Sequence, residues 1–286
     1  MPPETAGHPA PVHTPRPALT LLTHVVLVLA CLTTLVPFGW MLLTSVKSFG
    51  EATTVPPRVL PATWLWSNYP AVLDALPFAS FYFNSAVSTA LRTAGVLLFA
   101  SMCAYAFARL RFPFKNALFV AVLSVMMIPP QTLIIPQYQI IAELGWLNSI
   151  KALVAPGLFS GFVTFLLRQF FASIPNELEE AARLDGAGPI RIYALVMMPL
   201  ALPGLIAAGV LKTLDGWNEL FWPLVVNSSP DKLTLPAGLA FMNAENFTDF
   251  PLQMAGGTMS VLPMLVMFVV LQRYVIRGMN ISSGLK

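Results

Sequence analysis

The sequence predicts an all-α membrane protein with six transmembrane helices, both termini in the cytoplasm, and a cytoplasmic loop between helices 4 and 5. Three observations support this prediction. Only 10% of the 286 residues are charged and the mean hydropathy is +0.72, whereas an ordinary soluble domain has about 25% charged residues. Apolar segments recur at the length of about 20 residues that a helix needs to cross a bilayer. Positive charge is concentrated in alternate connecting segments.

Six apolar segments define the predicted spans. They run approximately over Leu19–Leu43, Phe83–Phe107, Ala117–Ile141, Leu153–Phe171, Leu200–Val226 and Met254–Val275. The first segment is too long for a cleaved signal peptide, so we interpret it as an uncleaved span. The predicted organisation is therefore a disordered Pro-rich tail (1–18), a six-helix domain (19–276) and a cytoplasmic C-terminal tail (277–286).

The distribution of lysine and arginine predicts the orientation. With the N-terminus in the cytoplasm, ten basic residues fall in the inner segments: Arg16, Arg109, Arg111, Lys115, Arg168, Arg183, Arg191, Arg273, Arg277 and Lys286. Four fall in the outer segments: Lys47, Arg58, Lys151 and Lys232. Because basic residues favour the cytoplasmic side, both termini are predicted to be cytoplasmic, with lipid around the helices. The net charge of +3 is too small to indicate a nucleic-acid partner.

Several classes of function lack their sequence signature. Both cysteines lie in apolar runs, where two small buried hydrophobes are more plausible than a disulfide. A membrane enzyme needs a converging nucleophile or metal set, whereas the apolar segments contain only His24, so we predict no catalytic and no metal site. An ion-driven transporter would show inverted repeats, and no convincing repeat is present. No Gly-rich phosphate loop ending in Gly-Lys-Ser/Thr occurs, so ATP would have to be hydrolysed by another chain.

Charge is concentrated in the stretch EEAARLDGAG, in the predicted cytoplasmic loop over about 172–198. Ser173 is predicted to cap a helix, Pro175 suits its first turn, and acidic residues suit its positive end. That helix is predicted to end at Leu184 or Asp185. Gly186 and Gly188 then allow a sharp turn, and Pro189 begins a second helix. The helix–turn–helix joins a membrane span directly, so it could transmit a displacement.

Polar residues interrupt the fifth predicted span. Trp217, Asn218, Glu219 and Trp222 combine aromatic faces with an amide and a carboxylate, which suits a sugar, so these four are candidate pathway residues. The alternative is structural: the two tryptophans would lie at the membrane interface, and Glu219 would pair with Lys212.

Three further features have open interpretations. Arg92, in the second span, is predicted to face the bundle interior as a packing or pairing residue, and the alternative is a contact with the solute. The prolines around Pro130 interrupt the third span, either beside a transport path or as a packing kink. The predicted outer segment over 45–82 carries Trp64, Trp66 and Tyr69, which would either be gripped by a partner protein or lie on the membrane surface.

The motifs of the chain resemble those of one known family. Glu180-Ala181-Ala182, followed by Asp185-Gly186-Ala187, resembles the EAA loop of the inner-membrane permease subunits of binding-protein-dependent ABC importers. Other matches support the carbohydrate-importer branch: Asn84 at the start of span two, Ala104–Leu110 at its exit, Pro199 and Pro203, Trp217-Asn218-Glu219 with Pro223, and a tail over Gly278–Lys286 similar to that of the maltose-type second permease.

The resemblance implies a mechanism and a set of partners. The loop would dock on a cytoplasmic ATPase dimer through Glu179, Glu180, Ala181, Ala182, Asp185, Gly186 and Ala187, and the tail would contact that dimer through Gly278 and Lys286. ATP and Mg²⁺ would be bound by the ATPase, with no cofactor on this chain. A homologous second permease would complete the pathway, and an extracytoplasmic solute-binding protein would deliver the solute. The expected solute is a di- or oligosaccharide, and the alternative is a polyol, glycerol 3-phosphate or a glycerophosphodiester.

Overall fold

The computed structural model describes residues 17–244 and 249–283, with side chains over 21–241 and 249–269. All regular structure within these ranges is helical, which confirms the predicted all-α class. The α-helices are α1 (Pro17–Ser45), α2 (Phe49–Ala52), α3 (Asn68–Ala75), α4 (Phe78–Arg109), α5 (Lys115–Val125), α6 (Ile134–Glu143), α7 (Ile150–Val154), α8 (Gly161–Ser173), α9 (Asn176–Leu184), α10 (Pro189–Ile192), α11 (Met198–Leu200), α12 (Leu202–Trp217), α13 (Phe221–Val226), α14 (Leu235–Ala244) and α15 (Phe250–Ser283). Short 3₁₀ turns lie at Pro130–Leu133, Ala155–Gly157 and Pro230–Lys232, and a π-helical turn at Tyr193–Met197.

Three helices of the described chain are long and apolar enough to cross a membrane without a break, namely α1, α4 and α15. Three bent pairs pass the same test together, with bends of 94° in 115–143, 48° in 150–173 and 77° in 189–217. The total is six spans if each bent pair is one span, as the sequence predicts. The cytoplasmic placement of both ends and the domain boundaries stay predictions.

The breaks follow from proline and glycine. The third span bends where Pro129 and Pro130 replace helical hydrogen bonds by a 3₁₀ turn. The predicted span over 200–226 is divided in the structure, because α12 ends at Trp217 and α13 begins only at Phe221. Pro223 has no N–H for the carbonyl of residue 219, so a continuous helix would lose that hydrogen bond.

The main core lies around α4. One buried cluster joins α4 to α8, α10 and α12 through Val96, Ala100, Ala104, Tyr105, Val163, Leu167, Phe171, Ile192, Met197, Ala201, Leu205 and Ala208. This cluster fixes the end of α4 against the segment that contains α9 and α10. In contrast, the apolar side chains of α1 are mostly exposed, as expected for a helix whose solvent is lipid. The fold therefore holds the 172–198 loop on a rigid base at one end of α4.

Candidate functional site

A cavity of about 330 Å³, lined by apolar residues and by a few polar side chains, lies among the broken spans. Its lining residues are Arg92, Pro130, Gln131, Ile134, Gln137, Pro156, Gly157, Glu219, Phe221 and Trp222. Arg92 stands 14 residues after the start of α4 and 17 before its end, which is about 21 Å and about 26 Å along the helix. The cavity therefore lies near the middle of a membrane span, where polar groups are costly and usually face an aqueous path or one another.

Arg92 and Glu219 form an ion pair across this cavity. Arg92 Nη2 is 3.8 Å from Glu219 Oε2, and the two side chains are 17% and 27% exposed. The guanidinium packs against Gly157, where any side chain would overlap it. Glu219 Oε1 also accepts a hydrogen bond from the backbone N–H of Trp222 at 3.4 Å, at the start of α13. The pair thus links α4 to the breaks in two other spans.

The structure contradicts the alternative pairing of Glu219 with Lys212. Lys212 Nζ bonds instead to Asp215 Oδ2 at 2.6 Å, one turn along α12. Because α12 ends at Trp217, Glu219 does not continue the helical face that carries Lys212. The prediction that Arg92 is a pairing residue inside the bundle agrees with its position.

The four predicted pathway residues separate into two pairs. Glu219 and Trp222 line the cavity, and Trp222 Nε1 donates to the carbonyl of Ala152 at 2.8 Å. Trp217 packs in a different cluster, with its ring 6.3 Å from that of Tyr82. Asn218 is exposed, and its amide donates to the carbonyl of Leu214 at 2.9 Å.

This arrangement also bears on the interfacial alternative for the tryptophans. Trp217 is 9% exposed and Trp222 is 8% exposed. Other residues of this chain therefore cover both rings, and neither ring faces lipid. The sequence analysis did not name Gln137, which lines the cavity, as a pathway candidate. The feature that could have identified it is an amide side chain within an apolar span that also contains Gln131.

The 172–198 loop has the predicted helix–turn–helix form. Helix α9 ends at Leu184, and Gly186 has φ +80°, a left-handed conformation that favours glycine. Two details of the prediction were wrong. Ser173 is the last residue of α8, where its hydroxyl donates to the carbonyl of Phe170, so it does not cap α9. Gly188 has φ −75°, which any residue can adopt.

Glu179 points into the protein rather than outwards. Its side chain is 7% exposed and bonds to Arg183 Nη2 at 2.7 Å, while Arg109 Nε is 3.8 Å from its other oxygen. Arg109 also donates to the carbonyl of Phe171 at 3.0 and 2.6 Å. It makes further short hydrogen bonds to the Ile174 carbonyl and the Asn176 side chain. Arg109, interpreted from sequence as a topology anchor, therefore joins the ends of α4 and α8 to α9.

The other loop residues divide by face. Ala182 and Ala187 pack against the main core, and Ala187 N donates to the carbonyl of Ala182 at 3.0 Å. The outward face consists of Glu180, Ala181, Asp185 and Gly186, together with Leu184, which is 90% exposed, and Ile190, which is 84% exposed. This face of α9 and α10, called the loop face below, combines exposed apolar and acidic residues.

The predicted tail contacts lie outside the described side chains. Gly278 falls in the last part of α15, beyond residue 269, and Lys286 lies outside the described residues. Their contact with an ATPase stays a prediction, as does the character of residues 1–18.

Comparison with known proteins identifies the family. Residues 96–281 match the model of the binding-protein-dependent transport system inner membrane component. The chain is 32% identical to the sn-glycerol-3-phosphate transport system permease protein UgpE of Pectobacterium atrosepticum over 272 residues, covering 92% of this chain and 97% of the relative. It is 34% identical to an ABC transporter permease protein, ORF2, of a Caldicellulosiruptor species over 246 residues, 85% and 89% of the two chains.

A solved structure supports the same assignment. A chain of a bacterial ABC transporter involved in the import of the acidic polysaccharide alginate superposes with a TM-score of 0.79 and 25% identity, over 93% of this chain and 99% of that one. The resemblance drawn from the EAA-type loop is thereby confirmed. The chain therefore belongs to the family of inner membrane components of binding-protein-dependent transport systems, and it is a multi-pass permease of the ABC importer class.

Proposed function

We propose that this chain forms half of the transmembrane pathway of an ATP-driven importer for a di- or oligosaccharide. The mid-span cavity carries the proposal. It places Arg92, Glu219 and two glutamine amides at a depth where polar groups are otherwise rare, between helices broken at Pro130 and at Asn218. Broken helices around a polar site near the bilayer midplane are a recurrent arrangement in transporters.

The chemistry of the cavity favours an uncharged hydroxylated solute. Hydroxyl groups can donate to Glu219 and accept from Arg92, and the amides of Gln131 and Gln137 can do both. The positive charge of Arg92 is already balanced by the carboxylate at 3.8 Å, so the cavity offers no excess charge to an anion. Trp222 contributes an apolar wall, although its indole is mostly buried.

A second candidate solute is glycerol 3-phosphate or a related phosphorylated polyol. The support is the name of the 32% identical UgpE relatives, together with the guanidinium of Arg92 in the cavity. For this solute, the phosphate would have to displace Glu219 from Arg92. The two candidates therefore differ in whether the ion pair stays closed when the solute binds.

We further propose that the loop face docks on the ATPase. Leu184 and Ile190 are large apolar residues with 90% and 84% exposure, a pattern typical of a surface that another protein covers. In this proposal Glu179 contributes indirectly, because its side chain faces inward and holds α9 against Arg109 instead of contacting the ATPase. The partners in this proposal are an ATPase dimer that binds ATP and Mg²⁺, a homologous second permease and an extracytoplasmic solute-binding protein.

Solute-stimulated ATPase activity of the reconstituted complex tests the proposal. A panel of di- and oligosaccharides, polyols, glycerol 3-phosphate and glycerophosphodiesters would be added with the binding protein, and uptake into vesicles would be followed in parallel. Stimulation and uptake by one sugar are expected. Stimulation by glycerol 3-phosphate alone would establish the second candidate, and no ATP-dependent uptake of any solute by a complete complex would contradict the proposal.

A further inference from the structure

A second polar pocket, of about 510 Å³, lies where α4 ends beside α9. Its lining residues are Ala108, Arg109, Leu110, Arg111, Lys115, Asn176, Glu179, Glu180 and Arg183. Four cationic side chains therefore face two carboxylates, so the pocket has an excess of positive charge. Because α4 and α5 belong to two membrane spans joined by residues 110–114, the pocket lies at a bilayer surface.

The four cations of this pocket differ in how far neighbouring carboxylates balance their charge. Arg109 is buried against carbonyl groups and Glu179, and Arg183 is paired with Glu179 while remaining 57% exposed. Lys115 Nζ donates to the carbonyl of Leu110 at 2.9 Å, and carbonyls do not cancel its charge. Arg111 is exposed and has no hydrogen-bond or ion-pair partner among the described residues. Glu180, the second carboxylate of the lining, has no ion pair in the same part of the chain.

An aromatic wall adjoins the basic pocket. A neighbouring depression of about 410 Å³ shares Leu110, Arg111 and Lys115 with it and continues over Phe112, Phe114, Asn116 and Ala117. Phe114 is 81% exposed and adopts a left-handed backbone with φ 59°, immediately before α5. A bulky residue in that conformation is uncommon, and here it directs an apolar ring away from the protein at the membrane surface.

We propose that the basic pocket and the adjoining aromatic wall together bind the phosphate headgroup of an anionic phospholipid. Arg111, Lys115 and the exposed part of Arg183 would hold the phosphate, and Phe114 would contact the glycerol backbone and the upper acyl chain. Basic pockets between transmembrane helices are suited to anionic headgroups, because each cation attracts the negative surface. A free phosphate would use the same cations, but it would leave the exposed ring of Phe114 without a role. Because Glu179, Glu180 and Arg183 also line the pocket, the lipid would contact α9 directly.

Lipid binding to the delipidated, full-length complex tests the proposal by native mass spectrometry. We expect phosphatidylglycerol to bind at least about fivefold more tightly than phosphatidylcholine with the same acyl chains. Arg111→Gln should weaken phosphatidylglycerol binding about fivefold, and Arg111→Lys should retain most of it. Arg58→Gln is the matched control, because Arg58 is an exposed arginine outside both depressions. Equal binding of the two lipids, or an equal loss in the Arg58 variant, would overturn the proposal.

Two further arms separate the lipid from a soluble phosphate. Phe114→Ser should weaken phosphatidylglycerol binding, and inorganic phosphate or glycerophosphoglycerol at the same concentration should not displace the lipid. Displacement by either soluble anion, together with an unchanged affinity in Phe114→Ser, would assign the site to a free phosphate and overturn the lipid assignment.

Discussion

Arg109 at the end of α4 and Glu179 in α9 are in contact, with Nε 3.8 Å from Oε2 and with both side chains less than a tenth exposed. The same guanidinium pairs with no other carboxylate among the described residues, and it donates to the carbonyls of Phe171 and Ile174 at the end of α8. One side chain therefore satisfies a helix terminus and a buried carboxylate together.

Replacing Arg109 by methionine should destabilise the protein by about 3 kcal/mol, because a buried pair is broken and the carbonyl groups lose their donor. For a chain of this size, the melting temperature in mild detergent should fall by about 6–12 °C. Arg191→Met is the control, since Arg191 is exposed in α10, and it should change the melting temperature little. Equal melting temperatures for both variants would show that Arg109 is not a structural link.

Breaking the Arg92–Glu219 pair should reduce solute uptake. Arg92→Gln and Glu219→Gln are each expected to lower uptake about 5–30-fold, the factor that corresponds to one or two kcal/mol. The pair is partly exposed, so a larger loss is not expected. The exchanged double variant Arg92→Glu/Glu219→Arg should recover part of the activity if mutual pairing is what matters. Lys212→Gln, which breaks the separate Lys212–Asp215 pair, should leave uptake within a factor of about two. An uptake loss in Lys212→Gln as large as that in Arg92→Gln would contradict the prediction that the Arg92–Glu219 pair has a specific role in uptake.

Gly186→Ala should strain the turn after α9. Its φ of +80° costs an L-residue about 1–2 kcal/mol, so the variant should unfold at a lower denaturant concentration and lose part of its solute-stimulated ATPase activity. The matched control is Gly188→Ala, because Gly188 has φ −75° and open space around its Cα. If both variants behave alike, backbone strain at residue 186 does not control the loop.

The segment after α1 should loosen in acid. Hydrogen bonds from the backbone N–H groups of Ser48 and Ala62 hold the pKa of the Glu51 carboxyl below its usual value of 4.5. Since the folded pKa is the lower one, the stabilisation is complete above about pH 4.5 and is lost as the pH falls through the lowered pKa. Amide exchange over 48–62, corrected for intrinsic rates, should therefore rise relative to the rest of the chain on acidification. Glu51→Gln should abolish this pH dependence, and its persistence in that variant would assign it to another group.

The sequence correctly predicted the features that depend on local residue patterns, namely the membrane spans and the helix–turn–helix of the loop. Apolar length located the spans, and the order of Pro175, Gly186 and Pro189 located both helices of the loop. Its local errors were the cap at Ser173 and the turn at Gly188. What it missed were contacts between residues that are distant in sequence. Arg92 and Glu219 are separated by 127 residues, and only packing brings them together. The family resemblance likewise grouped Glu179 with the docking residues, and in the structure its side chain faces inward, in contact with Arg109.

The break before Pro223 was visible in the sequence as a helix-breaking residue, but apolar length dominated the prediction. Trp217 and Asn218 were grouped with Glu219 as pathway candidates because aromatic faces beside an amide and a carboxylate suit a sugar. In the structure, Trp217 at the end of α12 packs in a different cluster, and Asn218 directly after it is exposed.

The cavity pair also has an electrical consequence. A single charge moved across a membrane potential of 100 mV changes in free energy by about 2.3 kcal/mol. Arg92 on α4 and Glu219 in the break between α12 and α13 carry opposite charges at one depth, so together they present a dipole with no net charge to the field. As long as the pair stays closed, the membrane voltage does little work on this part of the permease when its helices move.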